Sequence, residues 1–131
     1  MKIFEVVDYF EQIIPLDLQE SYDNCGLQVG NAGNELTSAL ITLDINELVL
    51  EEAIEKNCNL IISHHPLIFQ AIKKITGANA TERILQKALK ADICIYCAHT
   101  SLDNNFNGLN TFIAGKIGLQ HVKILEPAGS V

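Results

Sequence analysis

The chain alternates short apolar runs with segments in which apolar side chains recur every three or four residues. The short runs predict β-strands, and the periodic segments predict amphipathic α-helices. The first helix is predicted over residues 2–13, because Phe4, Val7 and Ile14 fall at helical spacing and Pro15 ends the pattern. The other predicted helices are one opening at Asp44–Glu47 and running to about Asn57, one from Thr81, its candidate cap, to about Lys90, and one over Leu109–Ile117 that closes at Gly118. The predicted strands are Ala39–Leu43, Leu60–Ser63 and Ile93–Ala98, with a turn and a short extended piece within Ser21–Gly30 and a candidate fourth strand at Val122–Leu125.

Strands and helices follow each other in turn, and the runs at 60–63 and 93–98 are apolar on both faces. This pattern is typical of an α/β fold, a mostly parallel sheet with helices on both faces. We find no repeat, low-complexity segment or internal linker in the sequence. Residues 1–131 are therefore expected to form a single α/β domain.

Composition narrows the possible partners and the cellular compartment. The net charge of −7 argues against non-specific nucleic-acid binding, and the Lys73-Lys74 pair is too small to offset it. Glu5 and Asp8 interrupt the first apolar stretch, which is therefore not an export signal. No run reaches the roughly 18 to 20 apolar residues of a membrane span. We expect a cytoplasmic protein with neither a nucleic-acid nor a membrane partner.

The four cysteines are expected to be reduced core residues. They are Cys25, Cys58, Cys94 and Cys97, and each has apolar neighbours. The last two form a C-x-x-C inside a strand-like run, where an offset of three places the side chains on opposite faces. No second pair completes a zinc ribbon, so we interpret this motif as a packing feature.

Candidate metal ligands follow the predicted strands. Asp44 follows the first strand, His64 and His65 follow the second, and His99 and Asp103 follow the third. The carboxyl ends of parallel strands meet at one edge of a sheet, which is where ligands bind in such folds. Neutral imidazole and carboxylate are the donors that a divalent transition metal prefers.

The adjacent histidines favour a site with two metals, each taking one imidazole. The pleat is lost where the strand ends, and Pro66 biases His65 towards an extended or turn conformation, so both rings can reach one cavity. Asp103 is the natural bridging carboxylate. His99 lies four residues before it, across a predicted turn.

Structural explanations compete with these assignments. A lone buried histidine is more often a hydrogen-bonded core residue than a ligand, although a pair at a strand end favours a ligand site. Asp44, with Glu47 three residues later, fits a helix N-cap and capping box. His121 is expected to be a surface histidine before an edge strand.

Three motifs resemble a known family. They are Asp23–Gly30 (Asp-Asn-Cys-Gly-Leu-Gln-Val-Gly), Ser63–Phe69 (Ser-His-His-Pro-Leu-Ile-Phe) and Ala98–Asp103 (Ala-His-Thr-Ser-Leu-Asp) followed by Gly108-Leu109-Asn110. They resemble the N-terminal signatures of the NGG-one-interacting-factor-three-like family, whose members are often labelled GTP cyclohydrolase 1 type 2-like proteins.

The resemblance implies an α/β fold, a centre of two zinc or iron-like divalent ions, and assembly into a toroidal homo-hexamer. By position, it assigns His64, His65 and Asp103 as metal ligands, with Asp103 bridging. His99 matches a nearby histidine of the same motif, a candidate for proton transfer or for orienting a ligand.

One departure from the family pattern changes the expected metal count. The family completes its centre from a C-terminal half, with a Gly-His-x-x-Ser-Glu-like motif that this sequence lacks. His121 and Glu126 are five apart and do not match it. We therefore expect an N-terminal half or a short paralogue, whose donors hold one metal well and a second only if another chain supplies ligands.

Three functions follow from this pattern. The first is a metal-dependent hydrolase acting on a nucleotide-like or phosphorylated small molecule, with His99 as general acid or base. The second is a non-enzymatic module that binds metal or a partner. The third is a fragment that exposes a sheet edge and has no activity.

Overall fold

A four-stranded sheet is the centre of the fold in the computed structural model, which describes residues 1–125. Its strands are β1 (Gly26–Val29), β2 (Ala39–Thr42), β3 (Leu60–Ser63) and β4 (Cys94–Cys97). They lie in the order β1-β4-β3-β2. Strands β2, β3 and β4 are parallel, whereas β1 runs antiparallel to β4. The predicted α/β class with a mostly parallel sheet is confirmed, and the extended piece within 21–30 forms its antiparallel edge.

Helices cover both faces of this sheet. They are α1 (Ile3–Ile13), α2 (Glu47–Glu55), α3 (Ala80–Lys90), the single turn α4 (Thr100–Asp103) and α5 (Leu109–Lys116), with a short 3-10 turn at Leu16–Leu18. Helix α5 ends before Gly118, whose φ of 81° is favourable for glycine. The predicted helices are confirmed to within a few residues.

The two helix caps differ from the prediction. Asn46 caps α2, accepting a hydrogen bond from the Val49 amide at 3.0 Å, and so the predicted capping role of Asp44 is wrong. Asn79, not Thr81, caps α3 by accepting from the Glu82 amide at 2.9 Å. In each case the cap is the extended residue directly before the first helical residue, where its side-chain oxygen reaches the orphan amides.

Alternation along the two central strands divides the core into two layers. Ile61 of β3 and Ile95 of β4 face α2 and α3, whereas Ile62 and Tyr96 face α1. All eight residues of β3 and β4 are buried. Burial on both faces explains why these strands are continuous apolar runs in the sequence.

Three of the four cysteines lie in this core, as predicted, whereas Cys25 lies outside it. Cys58, Cys94 and Cys97 are buried and Cys25 is half-buried, and all four are free thiols. Cys94 packs in the layer on the α1 side, and the packing interpretation of the C-x-x-C is confirmed. None of the helices described within residues 1–125 is both long and apolar enough to cross a membrane.

The candidate fourth strand at 122–125 does not form, so that prediction is wrong. These residues have no regular structure and pair with neither sheet edge. His121 is exposed, as predicted, but it precedes no strand. Glu126, which also entered the sequence interpretation, lies outside the described residues.

Candidate metal centre

Three imidazoles meet where β3 and β4 end. The ring centroid of His64 lies 5.0 Å from that of His65 and 5.3 Å from that of His99, and the last two are 5.6 Å apart. Each ring offers one nitrogen, and these nitrogens all lie within 4.8 Å of one another. The structure therefore brings together side chains that are 35 positions apart in the sequence.

The parallel register places these rings side by side. Thr42, Ser63 and Cys97 are aligned across β2, β3 and β4, so the residues that follow them leave the sheet at the same edge. The pairing continues one step further, since the His64 amide donates to the Thr42 carbonyl at 3.1 Å and the Ala98 amide to the Ser63 carbonyl at 2.9 Å. Backbone hydrogen bonds thus hold the start of each histidine segment.

His64 is the most enclosed imidazole of the three. Its side chain is 16% exposed, and its Nε2 lies 3.7 Å from Oδ2 of Asp103. Two donors that bind one ion at about 2.0–2.2 Å can be separated by at most about 4.4 Å. The gap between His64 and Asp103 is therefore compatible with a shared metal ion.

His65 is more open and has a carboxylate partner of its own. Its Nδ1 lies 2.7 Å from Oδ1 of Asp44, which is exposed. Asp44 thus binds a histidine from the next strand instead of capping α2. An ionised carboxylate accepts only, so Nδ1 of His65 donates and Nε2 keeps its lone pair.

His99 has the most buried carboxylate partner. Both oxygens of Asp23 lie 3.0 Å from its Nδ1, and the Asp23 side chain is 0% exposed. Asp23 also accepts hydrogen bonds from the Thr100 amide at 3.0 Å, from the Thr100 hydroxyl, and from the Cys25 thiol at 3.2 Å. The sequence motif contained Asp23, but its role as a partner of His99 was not predicted.

These hydrogen bonds keep Asp23 ionised despite its burial. Burial alone would raise the pKa of the Asp23 carboxyl, because it disfavours the charged form. The hydrogen bonds from Thr100 and His99 outweigh burial and hold that pKa well below its usual range. Asp23 thus keeps a negative charge next to His99 at ordinary pH.

Helix α4 sets the spacing between His99 and Asp103. The amide of Asp103 donates to the carbonyl of His99 at 3.2 Å, so the predicted turn between them is one turn of helix. Gly108 closes the chain behind it: a Cβ at this position would lie 2.1 Å from the Leu102 carbonyl oxygen. The amide group of Asn110 then donates to the Asp103 carbonyl at 2.9 Å.

The donors fit a divalent transition metal. Imidazole nitrogen and carboxylate oxygen suit zinc or an iron-like ion. Two of the imidazoles donate Nδ1–H to a carboxylate, an arrangement that orients metal-binding histidines in proteins. Of the predicted site residues, the structure brings His64, His65 and His99 together, and it places Asp103 beside His64. Asp23 and Asp44 bind two of the imidazoles from outside the cluster.

Comparison with known proteins places the chain among a group of related sequences. The sequence profile of the Duf34/NIF3 (NGG1p interacting factor 3) family matches residues 1–130. The chain is 38% identical over 123 residues to the GTP cyclohydrolase 1 type 2 homolog of Bacillus subtilis, and 37% identical over 126 residues to that of Lactococcus lactis. These alignments cover 94% and 96% of this chain but 33% and 49% of the relatives.

Solved structures give the same result. A Bacillus cereus protein related to NIF3 superimposes with a TM-score of 0.89 at 39% identity, covering 96% of this chain and 35% of that one. Reduced HcgD from Methanocaldococcus jannaschii gives a TM-score of 0.87 at 35% identity, covering 96% and 50%. The chain therefore spans about a third to a half of the length of the relatives that it matches.

Proposed function

This chain belongs to the Duf34/NIF3 family, as its motifs predicted, and we propose that it functions as a hydrolase that depends on a divalent metal ion. The observation that supports the proposal best is the cluster of three imidazoles at the ends of β3 and β4. Two of them have carboxylate partners on Nδ1, as metal-binding histidines in proteins usually do.

We assign His64, His65 and Asp103 as the residues that hold the ion. Three protein donors leave a position open, which is the pattern of catalytic rather than structural zinc sites. Within residues 1–125 this set suffices for one ion. A second ion, as expected of the family, would need donors beyond these.

When bound, the ion would supply Lewis acidity, which would lower the pKa of water and polarise a substrate oxygen. His99, which is not among the assigned metal ligands, would have a different role. Its Nδ1 donates to Asp23, so the free lone pair of the neutral ring is on Nε2, which would accept a proton from a water molecule. His64 and Asp103 enclose one side of the cluster, while the exposure of His65 leaves the other side open to substrate.

We propose a nucleotide-like or phosphorylated small molecule as the substrate. The relatives carry the name GTP cyclohydrolase 1 type 2 homolog, which points to a nucleotide-like compound. A metal ion is also well suited to binding and polarising phosphoryl oxygens. The net charge of −7 makes a long nucleic acid a poor substrate.

Homo-oligomerisation into a ring is part of the same proposal. Helix α5 presents large apolar side chains to solvent, with Phe112 62% and the adjoining Ile117 68% exposed. Exposed apolar patches of this kind mark association surfaces. Light scattering of the purified chain tests this part, and a monomer at micromolar concentration would contradict it.

Hydrolysis of phosphorylated substrates tests the enzymatic part. The zinc- or manganese-loaded protein is expected to release phosphate or nucleotide products from a panel of nucleotides and phosphate esters. Activity should be lost with a chelator and in His65→Ala, and kept in His121→Ala, a variant of an exposed histidine outside the cluster. A protein that binds metal at these residues but hydrolyses nothing would instead support the non-enzymatic metal-binding function.

A further inference from the structure

We propose that Asp23 is a positioning residue, whose buried carboxylate holds His99 in the tautomer that carries hydrogen on Nδ1. The free lone pair of His99 is then on Nε2, the nitrogen directed away from Asp23. The inference rests on the proposed function for its purpose, because it is Nε2 that would accept the proton during hydrolysis. It does not rest on that function for its test.

The hydrogen-bond geometry at Asp23 permits only one tautomer of the neutral His99 ring. Nδ1 lies 3.0 Å from each oxygen of Asp23. An ionised carboxylate can only accept, and an Nδ1 lone pair facing two oxygens at that distance would be repelled. The neutral imidazole therefore places its hydrogen on Nδ1. A serine protease triad uses a buried aspartate in the same way to orient its histidine.

Asp23 is itself held by groups from separate parts of the chain. Its oxygens accept from the amide and hydroxyl of Thr100, which is on α4, and from the thiol of Cys25, which precedes β1. The neighbouring Asn24 donates to the Ile68 carbonyl at 2.7 Å, fixing the segment against the loop after the two histidines. The carboxylate is thus fixed in place before any ligand binds.

The contrast with His65 shows why Asp23 has the stronger influence. The side chain of Asp44, the partner of His65, is 64% exposed, so water competes for its oxygens. The side chain of Asp23 is 0% exposed, and no water competes there. A hydrogen bond in the protein interior is electrostatically stronger than one in contact with solvent. Asp23 therefore controls its histidine more tightly than Asp44 does.

A purely structural role for Asp23 makes a different prediction. If the carboxylate only capped α4 through Thr100, its replacement would alter stability and leave the His99 tautomer unchanged. Asp23→Asn separates the two roles. The amide keeps an oxygen acceptor for Thr100 but adds an NH₂ donor, which can face Nδ1 of His99 and favour hydrogen on Nε2.

The test is nitrogen NMR of the imidazole rings in the metal-free protein, at a pH high enough to keep them neutral. Wild-type His99 is expected almost entirely as the Nδ1–H tautomer. Asp23→Asn is expected to give a mixture or the opposite tautomer. Thr100→Val, which removes the hydroxyl donor to Asp23 but leaves the carboxylate, should retain the wild-type tautomer and serves as the matched control.

Two results would overturn the inference. One is wild-type His99 with hydrogen on Nε2, which needs no variant and so does not depend on Asp23→Asn folding. The other is a folded Asp23→Asn protein with the wild-type tautomer. Zinc binding by the wild type is measured separately, so its failure would count against the proposed function alone. If hydrolysis is found, Asp23→Asn should lower its rate by about 10- to 100-fold with zinc content unchanged.

Discussion

The thiol of Cys97 donates a hydrogen bond to the backbone carbonyl of His64 at 3.2 Å. This contact ties the end of β4 to the first residue after β3. Since His64 begins one histidine segment and Cys97 lies two residues before His99, it links the two chain segments that carry the imidazole cluster. A core cysteine thus helps to position the candidate metal centre without being part of it.

Because Cys97 is buried, we expect its thiol to react slowly with alkylating reagents. Burial raises the pKa of its thiol to about 12, so the thiol remains protonated and is a donor rather than a nucleophile. In the folded protein, iodoacetamide is expected to modify the half-buried Cys25 well before Cys97. Both should react alike once the chain is unfolded in urea, as measured by mass spectrometry of tryptic peptides. Equal labelling of both in the folded protein would contradict the contact.

Replacing Gly108 or Gly115 by alanine should change the free energy of unfolding in opposite directions. A Cβ on Gly108 would lie 2.1 Å from the Leu102 carbonyl oxygen, so the turn behind Asp103 must shift. We expect Gly108→Ala to lower the free energy of unfolding by about 1–3 kcal/mol. Gly115 lies within α5, where the methyl group that alanine would add meets open space, and Gly115→Ala should raise that free energy by about 0.5–1 kcal/mol.

Urea unfolding of the two variants measures this difference. The Gly115→Ala protein is the matched control, because it adds the same methyl group on the same helix-and-turn unit. Two variants of equal stability would show that the chain near Leu102 is not packed as described.

The hydrogen bonds that the Glu82 carboxylate accepts should make the stability of the folded chain depend on pH. Its carboxylate accepts from the Thr76 amide at 2.8 Å, from the Thr76 hydroxyl at 2.8 Å and from the Ala78 amide at 3.0 Å. These bonds, those from Thr76 above all, lower its pKa from 4.5 to about 2. The folded-state pKa is depressed, so the stabilisation is complete above pH 4.5 and is lost as the pH falls from there towards 2.

Glu82→Gln removes this contribution. The variant is expected to be less stable than the wild type near neutral pH, and the difference should shrink as the pH is lowered through that window. Thr76→Val, which removes one of the donors and keeps the carboxylate, should show a smaller form of the same trend. Denaturant unfolding at a series of pH values provides the data, and parallel curves for wild type and Glu82→Gln would refute the assignment.

His99→Gln distinguishes proton transfer from metal binding. If His64, His65 and Asp103 hold the ion, the variant keeps its metal content, and hydrolysis falls by about 10²- to 10⁴-fold because the proton acceptor is lost. Metal content is read by elemental analysis and hydrolysis by product release. A variant that loses its metal would show that His99 is a ligand of the ion.

The elements that the sequence predicts best are those whose local pattern and tertiary surroundings agree. The continuous apolar runs of β3 and β4 became buried central strands, and the residues directly after them became the edge that carries His64, His65 and His99. The parallel register alone brings such strand ends together. This part of the site is therefore visible in the sequence.

The supporting carboxylates could not be predicted, because their partners are distant in the sequence. Asp44 fits a helix cap locally, yet it binds His65, 21 positions away. Asp23 is 76 positions from His99, and only the antiparallel placement of β1 beside β4 brings them together. The pattern at 122–125 also suggested a strand, but a strand needs a neighbouring edge, and these residues have none among the described strands.

The proposed chemistry depends on a divalent metal ion bound at this edge of the sheet, and the metal content of the purified protein shows whether one is held there. Elemental analysis of the protein, purified without added metal, is compared with His64→Ala/His65→Ala and with the control His121→Ala. We predict at least one zinc or iron-like ion per chain in the wild type and the control, and its loss in the double variant. Little or no metal in the wild type, or the same content in the double variant, would mean that these histidines do not hold a metal ion.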